Sequence, residues 1–297
     1  MTAATDPEAT GQPEEPDTGH PTEPQTGEPE TEQPEEAPEP HEMFARTREE
    51  GERRLTRTKL ELTTTSLVAG FDVVFGVIAL AAATAAMAPH FGPSAAHFFG
   101  SLAFGIAFIF IVVGRSELFT ENFLVPVTAL RRGKLSKLKL AQLWTISPVM
   151  NIVGGTALIL VVTSKGVLPE GAAPALVDVA ETIGAHTHWS AFLSAIAGGA
   201  LITAMTWMVE GVGTVGGRIV VAWIAGVLLA LGSFNHVIVV TLELIFGLRF
   251  GADIGLGDIA LNFAIAAAGN MVGGMLFVTM TRTSQAIGSG DSDSPAK

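Results

Sequence analysis

The 297-residue chain has no cysteine and no tyrosine. The first absence removes disulfide scaffolds, thiol nucleophiles and thiolate metal sites together. There is no His-Glu-x-x-His, no Gly-x-Ser-x-Gly and no pair of aspartates on facing apolar segments, so catalysis finds no support in the sequence. No positively charged start followed by an apolar core resembles a secretory signal peptide. A basic excess is also missing. The formal net charge is −12, with most of the acidic excess in the opening segment, which gives no support for a nucleic-acid partner. His186 and His188 lack carboxylate or thiolate company and read as solvated loop histidines, and no metal or cofactor is implied.

What is present divides sharply by composition. Residues 1–43 are rich in Pro, Glu, Thr and Gly and nearly devoid of large apolar side chains, which predicts a disordered acidic cytoplasmic tail. Residues 44–61 carry Arg46, Arg48, Arg53, Arg54, Arg57 and Lys59, which predicts a basic helix lying at the membrane interface with its cations near anionic headgroups. Residues 62–283 form a transport domain and residues 284–297 a second disordered cytoplasmic tail. Within 62–283, apolar stretches long enough to cross a hydrocarbon core of about 30 Å run near residues 62–87, 95–115 with a continuation to 130, 144–163, 189–209, 219–247 and 254–280. The fold class expected is an all-α membrane protein with six spans. Arg131, Arg132, Lys134, Lys137, Lys139, Arg218 and Arg282 join the N-terminal cations on one side, against Lys165 and Arg249 on the other, so both termini are expected in the cytoplasm of a plasma (inner) membrane protein.

Asn151-Ile-Val-Gly-Gly155 in the third span returns as Asn270-Met-Val-Gly-Gly274 in the sixth, 119 residues later. The same offset carries Glu117 close to His236, each within a polar interruption of an apolar run: Gly114-Arg-Ser-Glu-Leu-Phe-Thr-Glu-Asn122 and Gly232-Ser-Phe-Asn-His236. Three spans per half give an inverted repeat, with the second and fifth helices interrupted. Polar backbone at membrane depth is tolerated only where it is buried in protein or lines a cavity. Thr120 is a candidate cap for a half-helix starting near Glu121, and Asn235 or Ser233 for one starting near His236. Their positive N-terminal ends would then converge on the membrane centre, a setting that favours an anion.

These segments, with Gly269-Asn-Met-Val-Gly-Gly274, resemble the signatures of the formate/nitrite transporter family over roughly residues 55–283. The resemblance implies an aquaporin-like fold and a homopentamer with one pore per protomer. It also implies passage of formate, nitrite, hydrosulfide and related small monocarboxylates. It places Leu118, Phe119 and Thr120 in the interrupted-helix loop and makes His236 the central pore histidine. Two positions depart from the family pattern: a Lys after the third span, matched here by Ile183 or Gly184, and an Asn early in the fourth, matched by Gly199. The Glu121-Asn122 pair resembles a poorly characterised branch of the family.

Moving a bare anion into hydrocarbon is far costlier than moving its neutral acid. A pore must therefore supply positive potential, a proton or both, and His236 is the titratable candidate. The pore set read from the sequence is His236, Thr120, Asn270 and the constriction residues Leu118, Phe119 and Phe234; Glu117, Asn122 and Asn235 are read as organising the loops. Asn151 is read as structural. Asp72 and Glu243 are intramembrane carboxylates with subunit-contact and interface readings beside a functional one. The function expected is a channel or transporter for small weak-acid anions with proton-linked permeation; its partners are the lipid bilayer, the anions and protons. A neutral-solute channel of the aquaporin type stays open, although it normally carries paired Asn-Pro-Ala motifs that this chain lacks. A membrane scaffold or sensor without transport stays open as well.

Overall fold

The computed structural model describes residues 38–130 and 134–291; residues 1–37 of the expected acidic tail and 292–297 of the second tail lie outside the described residues. Among the described residues every regular element is helical. The first element among the described residues is α1 (Pro40–Thr56), whose Glu39 and Glu42 form a capping box ahead of the basic residues, four positions earlier than the expected interfacial helix. Arg57 and Thr58 interrupt it, and the Thr58 hydroxyl then caps α2 (Lys59–Phe104). A single helix of that length would far exceed one bilayer crossing at 1.5 Å per residue. It folds back at Gly92, whose φ of 78° suits glycine, between Pro89 and Pro93. The two arms pack on each other where a Cβ on Gly76 would meet Ala107 and one on Gly100 would meet Thr84.

The second arm continues into α3 (Ile106–Gly114) and stops at Arg115. A 3₁₀ turn (Phe119–Phe123) and the four-residue α4 (Val125–Thr128) follow. Then come α5 (Lys134–Val162), α6 (Ala172–Gly184), α7 (His188–Gly211) and α8 (Val215–Leu231). After a second break, α9 (Val237–Phe250) leads to α10 (Leu256–Met271), a π-helical segment (Val272–Thr279) and α11 (Met280–Asp291). Four helical stretches are long and apolar enough to cross a membrane: Lys59–Gly114, Ser136–Val162, His188–Gly211 and Leu256–Ser289, with the apolar Val215–Leu231 shorter. The protein is thus an all-helical membrane protein.

The helices meet at small residues. A Cβ on Gly70 of α2 would overlap the carbonyl of Asn151 in α5, and one on Gly199 of α7 would overlap the carbonyl of Asn270 in α10. Gly199, one of the departures from the family pattern, therefore sits where any side chain would push two helices apart. α1 packs against α4, α7 and α11 and covers the first break.

Candidate functional site

Both breaks are built alike in the backbone. Arg115 and Ser233 hold positive φ values of 54° and 48°, an unusual left-handed conformation for residues with side chains. Directly after each, an N–H reaches back to the preceding helix: Ser116 N donates to Ile111 O and Phe234 N to Leu229 O, both at 3.1 Å. An asparagine then braces each break. Asn151 Oδ1 accepts from Phe119 N at 3.0 Å, while its Nδ2 donates to Ser66 O and Glu117 O. Asn270 Oδ1 accepts from Val237 N at 2.8 Å, while its Nδ2 donates to Ala195 O and Asn235 O. Each amide therefore satisfies two backbone groups of the break, an N–H and a carbonyl, and ties them to a carbonyl of a neighbouring helix. Asn270, for which pore lining and structural bracing are both open from the sequence, is fully buried with both amide hydrogens on carbonyls, as Asn151 is.

Between the two breaks, Thr120 Oγ1 lies 2.7 Å from His236 Nε2, and both residues are wholly buried. His236 Nδ1 accepts from Val239 N at 3.3 Å and so caps α9. With Nδ1 accepting, the neutral ring carries its proton on Nε2 and donates it to the threonine hydroxyl. A second ring proton would have to go onto Nδ1, at the expense of the cap. The caps expected from sequence are accordingly different ones. His236, not Asn235 or Ser233, caps α9, and Asn235 instead donates from Nδ2 to Ala191 O at 3.3 Å. Thr120 caps nothing; the 3₁₀ turn begins after Leu118 without a side-chain cap, and the Thr120 hydroxyl goes to the imidazole. The first break also lacks a full half-helix. With Pro126 inside it, α4 is only one turn long, so the helix dipole aimed at the centre comes from α9.

Leu118 and Phe119 are buried in the apolar core beside this pair, Phe119 edge-on to Phe123 at 5.1 Å. Phe234 is elsewhere. It is half-buried on the wall of a chamber of about 580 Å³, formed by the two arms of α2 with α6–α10 and the second break. His236 does not line this chamber. Phe104 and Leu229 do, and Phe108, one turn beyond Phe104, sets its ring edge-on against the imidazole with centroids 6.3 Å apart. These three residues step from the chamber to the histidine, and they were not legible in the sequence because apolar residues spaced by one turn look like any core face.

On the other side of the histidine stands a buried ion cluster. Glu117, wholly buried, accepts from Arg54 Nη1 at 3.1 Å and pairs with Arg57 Nη1. Arg54 Nη1 also reaches Glu121 at 3.4 Å and Asn122 Oδ1 at 3.3 Å. Its neighbour Arg115 is exposed, and the guanidinium groups arrive from α1 and its C-cap, about sixty residues away in sequence. Arg54 and Arg57 thus turn into the protein, while Arg46 and Arg48 of the expected interfacial helix stay exposed. Burial alone would raise the Glu50 carboxyl, but hydrogen bonds and charge from Arg53 and Arg54 outweigh it and hold it at about 2. Burial likewise works against the Arg54 guanidinium, and Glu117, Glu121 and Glu50 reverse that and raise it. Asp72 accepts from Ser116 Oγ at 2.6 Å and ties the first span to the same loop. His186 lies at the chamber rim and His188 is exposed at the start of α7; among the described residues no cluster of three metal-ligand side chains occurs.

Comparison with known proteins agrees along most of this length. Residues 41–283 match the family described as formate/nitrite transporter. The chain is 26% identical over 238 residues to the inner membrane protein YfdC of Escherichia coli, covering 79% of this chain and 75% of that protein. It is 28% identical over 177 residues to formate-nitrite transporter 3 of Toxoplasma gondii, covering 58% of this chain and 35% of that protein. Among solved structures, an FNT family ion channel superposes with a TM-score of 0.72 at 17% identity, over 82% of this chain and 98% of the other. A pentameric formate channel with formate bound superposes with a TM-score of 0.64 at 20% identity, over 77% and 97%. Both share the fold.

Proposed function

The chain belongs to the formate/nitrite transporter family, whose members are membrane channels and transporters, and from that premise we propose that it passes small weak-acid anions together with protons. The path runs through each protomer of a homopentamer in the plasma membrane, with six spans per protomer and both termini cytoplasmic. It leads from the chamber past Phe104, Phe108 and Leu229 to the His236–Thr120 pair, and out past Leu118 and Phe119 beneath α1. The observation that carries this reading is the 2.7 Å contact between Thr120 and His236, which joins the two helix breaks at one buried point.

His236 acts there as a neutral donor. Its Nδ1 is committed to the α9 cap, so the Nε2–H and the Thr120 hydroxyl are the donors offered to a solute at that depth. The α9 N-terminus adds partial positive charge at the same point. An anion is stabilised by these donors only in passing, and its proton travels with it, which avoids the cost of a bare charge in an apolar passage. The test is a liposome panel with purified full-length protein: formate, nitrite, acetate, lactate, hydrosulfide and glycerol at two pH values. Protein-dependent weak-acid uptake that rises at the lower pH supports the reading, and glycerol uptake without weak-acid uptake would replace it with a neutral-solute channel.

A further inference from the structure

We infer that the chamber beside α6 also takes small uncharged amides of the urea type, solutes that carry several N–H donors and one carbonyl, with Asn235, Glu243 and Asn262 as the acceptors. All three residues line the chamber, and all three hold acceptors that stand unused. Asn235 is 6% exposed and its Oδ1 has no partner, Asn262 has a buried Oδ1 without one, and Glu243, 8% exposed, makes no hydrogen bond or ion pair among the described residues. Other polar groups on the same wall are engaged elsewhere. Thr182 Oγ1 donates to Asp178 O at 2.7 Å, Ser194 Oγ donates to Ser233 O at 3.4 Å, and His97 Nε2 lies 3.2 Å from Leu231 O. No Lys or Arg lines the chamber. Buried polar atoms normally find partners, so this wall calls for donors brought by a solute.

The acceptors are spread along the chamber. Glu243 lies seven residues before the end of α9 at Phe250 and Asn262 six residues after the start of α10 at Leu256. The two helices follow one another across a short turn and pack together, so these two side chains stand at one level. Asn235 stands deeper, next to the His236 cap at the second break. A solute with N–H groups beside a carbonyl meets Glu243 and Asn262 first and Asn235 next; its carbonyl oxygen then meets the Nε2–H of His236 and the N-terminus of α9. No cation stands beside Glu243, and a carboxyl buried in that way keeps its proton. It then offers a carbonyl acceptor and an O–H donor, the pair that an amide complements. A cation would have to pass Phe104, Phe108 and Leu229 as a bare charge, and an uncharged amide does not. A monocarboxylic acid brings a single O–H to this set, whereas urea brings N–H groups to each member. Urea-type amides are thus a second solute class, using the path proposed above.

The experiment follows urea into liposomes that hold the purified full-length protein, by stopped-flow light scattering, with formate uptake measured on the same vesicles. Protein-dependent urea uptake is expected. Glu243→Met and Asn262→Leu, on different helices, are each expected to slow it about three- to tenfold, the loss of one neutral hydrogen bond. Glu243→Gln, which keeps a carbonyl acceptor beside a donor, is expected to stay within about twofold of the wild type. Elution of each variant at the wild-type size shows that it is assembled. Formate uptake without urea uptake would overturn the inference and leave the weak-acid reading standing; urea uptake without formate uptake would sink the weak-acid reading and leave the inference standing. Urea uptake that neither Glu243→Met nor Asn262→Leu slows, or a Glu243→Gln protein as slow as Glu243→Met, would also overturn it.

Discussion

At Arg115 and at Ser233 the backbone turns in the same way, and an asparagine completes each turn with the same three bonds, yet the groups that hold the two breaks are opposite in character. The first is clamped by charge, with Glu117 between Arg54 and Arg57 and Glu121 close by. The second is held by neutral groups: Asn235 N donates to Ser194 Oγ at 3.0 Å and Ser194 Oγ to Ser233 O at 3.4 Å. The difference follows from what comes next in the chain. Beyond the second break lies a fourteen-residue helix that His236 itself caps, so that segment is positioned by its own hydrogen bonds. Beyond the first lies a 3₁₀ turn and a single helical turn, which must be fixed from outside, and α1 does this. The shared backbone thus leaves one break free to border an open chamber and ties the other to the N-terminal helix.

The shared part of the comparison carries the largest effects. Replacing Asn151 or Asn270 by Leu leaves two buried backbone groups of the break without partners, at about 1–3 kcal/mol for each group. The two variants should lose similar amounts of thermal stability in detergent; a large loss at only one would break the equivalence of the braces. Next comes the difference between the breaks. Arg54→Ala strands Glu121 in the interior, leaves Glu117 with Arg57 alone and should cost about 3–5 kcal/mol. Ser194→Ala, at the neutral break, should cost only about 1 kcal/mol. Equal losses would mean that the ion cluster is incidental to the first break.

Much of this arrangement was legible in the sequence. The breaks and the paired asparagines stood out as polar residues repeated within apolar spans, and the family resemblance put Thr120 in the interrupted-helix loop and His236 at the pore centre. The ion cluster was not legible, because Arg54 and Arg57 sit in a polar helix where basic residues ordinarily face water or lipid headgroups, and their acidic partner lies about sixty residues away. The cap on α9 was hidden for a similar reason: Asn and Ser are the usual cap residues, and His236 takes the role only because the turn at Ser233 delivers it there. Thr120-Glu121 looked like a helix start, but Pro126 and the short α4 show that tertiary contacts, not local propensity, shape that segment.

A smaller effect sharpens the contrast through pH. Glu50 is held at about 2, below the ordinary 4.5, so its share of the stability of the α1 contact is complete above about 4.5 and is lost as pH falls towards 2. Glu50→Gln should remove that part of the acid sensitivity, read as the change in melting temperature between pH 5 and pH 3. The neutral second break should show no matching dependence on that residue.

The point where the two breaks meet is tested most directly by flux through His236→Asn in liposomes. Asn keeps an acceptor for the Val239 N–H, so α9 and assembly should survive, while the ring donor facing Thr120 is removed. Weak-acid uptake is expected to fall about ten- to a hundredfold, the loss of one hydrogen bond to a charged or strongly polar group. Thr120→Val should give a milder fall in the same assay. A His236→Asn protein that assembles normally and transports at the wild-type rate with the wild-type pH profile would contradict the placement of His236 on the path.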